Sequence, residues 1–133
     1  MTQWRWLARD VVLAIHDEQL AEHSGEPGIR DMGLLDSALA RPVNRAAYAE
    51  ATVFDLAAAY AFGIVRNHPF IDGNKRVAFL AAALFLLEHD LEIAAGDEAV
   101  VTAMLSLAEG SMDEGSFAAW LQDSAAASAE ANF

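Results

Sequence analysis

The segment His-Pro-Phe-Ile-Asp-Gly-Asn-Lys-Arg, residues 68–76, gathers an imidazole, a carboxylate, an amide, two cations and a glycine within nine positions. Apolar helical spacing flanks it on both sides, so it reads as a polar loop that opens a helix. The free N–H groups and dipole at a helix N-terminus favour an anion. Gly73 lets the backbone turn tightly and approach a ligand. Asn74 can cap the helix or orient a ligand. Lys75 and Arg76 fall in the first helical turn, the wrong end for cations on dipole grounds. A bound phosphate repairs that mismatch, with Arg76 gripping it bidentately and Lys75 acting as a point charge. His68 is a candidate general base for a hydroxyl, and Asp72 a candidate Mg²⁺ ligand beside phosphates. The chemistry indicated is Mg²⁺-assisted phosphoryl or nucleotidyl transfer. A His-Pro or a Gly-Asn alone would be an ordinary turn or cap; their combination with Asp72, Lys75 and Arg76 carries the argument.

Helices must hold this loop. The spacing predicts a first helix from about residue 2 to 21, broken by Gly25, Pro27 and Gly28. Residues 22–31 read either as a simple loop or as a small hairpin or flap. Asp31 caps a second helix, which Pro42 stops or turns. Thr52 and Asp55 form a capping box for a third helix, about residues 52–66. A fourth runs from about Asn74 to His89 and is apolar on nearly every side, which makes it the expected central helix. A connector over 92–97, a fifth helix over 98–108, and a last one opened by Ser111 and Glu114 complete the chain. The fold class is all-α, with five to seven helices in one domain over residues 1–124. The alanine-rich tail, 125–133, is expected to fray.

Composition sets limits. With 133 residues the chain fits one domain, and its apolar content of 55% is too high for disorder. It contains no cysteine, which excludes disulfides and thiolate metal sites. Net charge is -12, and residues 91–133 carry eight acidic groups and no basic one. General attraction to nucleic acid or an anionic membrane is not expected. The longest apolar run, Val77–Leu87, has eleven residues, well short of the ~20 of a membrane span. No targeting signal is apparent at the start, and a cytoplasmic setting is expected.

Residues 68–76 resemble the core motif of the Fic/Doc family, HPFx(D/E)GNGRxxR, with Lys75 as in the Doc toxin branch. The upstream stretch GEPGIRDMGLLDSALARP, residues 25–42, also looks like that branch, and the resemblance covers about residues 10–122. It implies a Fic-type helical domain with a flap near residues 22–31. It also implies that His68 is the catalytic base and Asp72 the metal-binding acid, with Gly73, Asn74, Lys75 and Arg76 as the phosphate-binding loop. ATP and Mg²⁺ are the implied cofactors. Typical members move AMP from ATP to a protein hydroxyl. The Doc toxin is known as a kinase that phosphorylates a threonine of elongation factor Tu and halts translation, with its nucleotide reversed so that the γ-phosphate faces the target. Lys75 in place of Gly, and Phe79 in place of the final Arg, weaken adenylyl transfer and favour the kinase reading. The family's inhibitory pattern (S/T)xxxE(G/N) is missing, because Leu105 precedes Glu109-Gly110. A separate Phd-like antitoxin, folding its C-terminal segment onto this chain, is therefore implied.

Other constellations are weaker. His16-Asp17 and His89-Asp90 suggest an HD-type metal site only faintly and read better as helix-surface residues. Trp4, Trp6 and Trp120 are expected to pack the termini onto the core, with an exposed partner groove as the rival reading. Arg30 and Asp31 either dock a partner or form a local ion pair and cap. A helical module that binds anions without catalysis is the non-enzymatic alternative, and His68 with Asp72 argues against it.

Overall fold

A computed structural model describes residues 3–128. Six helices form the body: α1 (Arg9–His23), α2 (Met32–Tyr48), α3 (Val53–Asn67), α4 (Asn74–Leu87), α5 (Asp97–Glu109) and α6 (Glu114–Ser124). Strands β1 (Leu91–Ile93) and β2 (Ala125–Ala127) form one antiparallel ribbon, pairing Leu91 with Ala127 and Ile93 with Ala125. The all-α expectation holds for the body. No helix among the described residues is long and apolar enough to cross a membrane.

The central helix is α3, not α4. The capping box that starts it forms as read: Asp55 N–H donates to Thr52 Oγ1 and Thr52 N–H to Asp55 Oδ2. Leu56–Ala61, Gly63 and Ile64 are all buried, with α2, α4, α5 and α6 packed around them. Small side chains permit this close assembly. A Cβ on Gly63 would lie 3.2 Å from the Ala38 backbone, so α2 and α3 meet almost backbone to backbone there. Pro42 does not end α2. The helix runs through it to Tyr48, with Pro42 buried. An interior proline typically costs ~3 kcal/mol, because it removes one helical hydrogen bond; the tight α2–α3 contact offsets that loss.

Helix α1 begins at Arg9 rather than near residue 2. Trp4 and Trp6 explain the difference. Both rings pack against Phe85, at centroid distances of 6.3 and 5.8 Å. Residues two apart share a face in an extended chain but not in a helix. Leu7 N–H donates to the Tyr60 hydroxyl at 2.9 Å, and Arg5 N–H to His89 Nε2 at 3.1 Å, which fixes the extended segment. Trp120 stacks on Phe117 instead, so Trp4 and Trp120 join the core at two separate places while Trp6, against Phe85, stays 37% exposed.

Two further readings need correction. Asp113, not Ser111, caps α6 by accepting from Ser116 N–H, while Ser111 bonds back to the Ser106 carbonyl. The tail begins as β2, which pairs with the stretch read as a connector, and Ser128 N–H bonds the Asp90 carbonyl. Three alanines carry too little β-propensity to announce a strand. Residues 129–133 of the tail lie outside the described residues.

Candidate active site

The loop between α3 and α4 is held from three directions. The first is its own helix. Asn74, only 5% exposed, accepts from Phe70 N–H at 3.0 Å and donates to the Phe70 carbonyl at 2.9 Å. Its amide is thus occupied within the loop. The cap residue of α4 is Gly73, with φ 82°, in the left-handed region open to glycine.

The second hold is the stretch before α2. It forms no hairpin of its own; Ile29 makes a single antiparallel bridge to Phe70. Ile71 N–H donates to the Gly28 carbonyl, and Arg30 and Asp31 N–H both donate to the Pro69 carbonyl. The Arg30 side chain reaches the end of α3, with Nε on the His68 carbonyl at 2.6 Å and Nη2 on the Asn67 carbonyl at 2.7 Å. A cation on the last carbonyls of a helix also suits the dipole. Asp31 caps α2 through Leu34 N–H. Both side chains are thus engaged locally while remaining exposed, Asp31 as a cap and Arg30 on backbone carbonyls rather than in an ion pair.

The third hold is α1. His16 is 3% exposed, its ring stacks on Phe70 at 3.9 Å and 12°, and its Nε2 lies 2.9 Å from the Asp72 carbonyl oxygen. This corrects its reading as a helix-surface residue. The signal was available in Val12, one helical turn earlier and fully buried, which marks the inward face of α1. His89 sits beyond the other end of α4, roughly 20 Å away at 1.5 Å per residue. There its Nδ1 meets the Phe85 carbonyl. No group of three metal-binding side chains exists among the described residues, so the HD-type constellation does not form.

On this frame the expected functional side chains are presented outward. His68 is the C-cap of α3, in left-handed conformation at φ 50° and ψ 56°, and is exposed. Asp72, Lys75 and Arg76 are also exposed. Lys75 and Arg76 line a groove of about 750 Å³ whose apolar wall includes Phe79, Leu80, Val101 and Leu105. His68 and Asp72 stand outside that lining, on the loop that leads into the same helical turn.

Asp72 is electrostatically prepared to stay ionised. Glu26 N–H donates to its Oδ2 at 3.2 Å and Gly73 N–H to its Oδ1 at 2.8 Å. These bonds hold its carboxyl below the ordinary 3.8, with smaller help from Arg76 and His16 and some opposition from partial desolvation by its neighbours. Asp113 is lowered likewise by the Ser116 N–H and hydroxyl. A depressed folded pKa means that the ionised form supports the fold. That support is present above the unfolded value and is lost as pH falls through the folded one. Carboxyl NMR titration is expected to place both midpoints below 3.8; either one at or above that value contradicts the hydrogen-bonded geometry. The cations and free N–H groups at the helix start suit phosphates, and the ionised Asp72 carboxylate is the kind of ligand that Mg²⁺ takes only together with such phosphates.

A His, an ionised Asp and a cationic helix N-terminus on one braced loop are the groups that phosphate chemistry calls on. The model of the Fic/DOC family matches residues 6–86, and the chain belongs to that family. It is 33% identical over 90 residues to the protein kinase Doc of Escherichia phage P1, covering 67% of this chain and 71% of that one. It is 44% identical over 73 residues to the toxin Doc of Mycolicibacterium smegmatis, covering 53% of this chain and 56% of that one.

Proposed function

We propose that this protein is the toxin of a toxin–antitoxin pair and a protein kinase of the Doc type. It moves the γ-phosphate of ATP to a Ser or Thr hydroxyl, with elongation factor Tu as the first target to try. One observation carries the reading: Lys75 and Arg76 line the groove from the first turn of α4, while His68 and Asp72 stand exposed on the loop entering that turn. Phosphates seated at the helix N-terminus meet Lys75, Arg76 and the first-turn N–H groups. His68 takes the proton from the incoming hydroxyl, whose oxygen attacks the γ-phosphorus as ADP leaves. Mg²⁺ held by Asp72 would supply charge neutralisation on the phosphates. Lys75 in place of glycine and Phe79 in place of a terminal arginine support phosphoryl over adenylyl transfer.

The same reading gives the protein a Phd-like antitoxin with a basic, amphipathic segment. Val101 and Leu105, 57% and 43% exposed on α5, offer an apolar face. The acidic C-terminal third would steer a cationic partner.

Purified protein, Mg²⁺, elongation factor Tu and ATP labelled at the γ- or α-phosphate separate the reactions. Label is expected on the target from γ-labelled ATP only. Transfer of the α-label alone would replace the kinase reading with adenylyl transfer.

A further inference from the structure

We propose that His16 is a positioning residue of the active site, selecting one orientation of the Asp72–Gly73 peptide by a hydrogen bond from the far side of the loop. The inference rests on the phosphotransfer reading for its kinetic consequence, but not for its geometry.

That peptide is held at both ends. Its carbonyl accepts from His16 Nε2 at 2.9 Å, and its N–H donates to Asp72 Oδ1 at 2.8 Å. A carbonyl cannot donate, so His16 must carry its proton on Nε2. The peptide is also one that could reverse. A flip rotates ψ of the first residue and φ of the second in compensation, and Gly73 tolerates either sign of φ. Reversal would point the carbonyl dipole at the Asp72 carboxylate, where the N–H now lies, and would release one of the two backbone bonds that aim it. Nothing else in the loop opposes this directly. Asn74 pins Phe70, and the stretch before α2 pins Pro69, Ile71 and the Asp72 carboxylate. The histidine is itself packed in place, buried in α1 beneath Phe70 with the rings stacked at 12°. A Cβ on Gly73 would lie 3.7 Å from His16 Cδ2, so the imidazole sits directly behind the turn. Stacking alone would be served equally well by phenylalanine. The donor is what makes histidine specific here.

Two variants of the full chain divide the roles. His16→Phe keeps the stack and loses the donor; His16→Gln keeps a donor near Nε2 and loses the stack. The Phe variant is expected to stay folded, to keep the KM for ATP within about twofold, and to lose roughly tenfold or more in kcat, as outer supports of catalytic groups do. Its Gly73 amide signal in a ¹H–¹⁵N spectrum should shift or double. The Gln variant should recover most of kcat and a single Gly73 signal. A Phe variant with wild-type kcat and an unchanged Gly73 signal, or a Gln variant no better than Phe, overturns the proposal. If the wild-type chain transfers no phosphate, the kinase reading fails by itself, and the Gly73 signal still decides the role of His16.

Discussion

His68→Ala is expected to lower phosphate transfer by about 10²–10⁴-fold, the usual worth of a positioned general base, while ATP affinity changes little. The split follows from where the side chain stands. His68 lies outside the groove that Lys75 and Arg76 line, so its removal should spare the nucleotide and strip the step in which the hydroxyl loses its proton. Its backbone is already committed: the N–H closes α3 on the Ile64 carbonyl, and the carbonyl receives Arg30. The left-handed conformation complicates alanine, because a non-glycine residue there is strained and asparagine tolerates it best. His68→Asn therefore serves as the second variant, holding the cap while removing the base. Equal loss in both variants, with unchanged unfolding curves, assigns the effect to the imidazole. Turnover within threefold of wild type in both removes His68 from the reaction.

What the sequence disclosed follows a physical division. Two of the local caps are legible, while Ser111 loses the third to Asp113 two residues on. Thr52 and Asp55 lie three residues apart and form the capping box as read, and Asp31 caps α2. The loop itself was legible because its chemistry is contiguous, from His68 to Arg76. Long-range holds were not. Glu26 and Asp72 meet across 46 residues, and His16 and Asp72 across 56. No periodicity within either segment announces such a meeting. The uniform apolarity of α4 likewise conceals its orientation: Val77, Ala81 and Phe85 enter the core, while Phe79 and Leu80 line the groove. Pro42 signals a helix end locally, yet it lies buried inside α2, because helix propensity is local and the α2–α3 contact is not. The resemblance to the Fic/Doc motif implies a phosphate loop over Gly73–Arg76, but it does not say that Asn74 turns its side chain inward onto Phe70.

Asn74→Ala is expected to reduce stability by about 2–4 kcal/mol, since each buried backbone group left without a partner costs roughly 1–3 kcal/mol. Both groups belong to Phe70, which is itself fully buried and stacked on His16. Water cannot readily replace the amide at a residue 5% exposed. In a domain of this size such a loss lowers Tm by roughly 10 °C. The outcome distinguishes two kinds of phosphate loop. If the Asn74 side chain touched the nucleotide, alanine would weaken ATP binding and leave the unfolding transition in place. With the amide spent on Phe70, stability should fall first, and the activity that remains at low temperature should show a reduced kcat from a loosened loop rather than a raised KM for ATP. Thermal unfolding followed by transfer kinetics at 10–15 °C below the variant's own transition reads both, about the margin its expected Tm loss requires. A Tm within 2 °C of wild type, about half a kcal/mol or less on the same scale, together with a large loss of ATP affinity, would return Asn74 to the ligand and remove it from the loop's support.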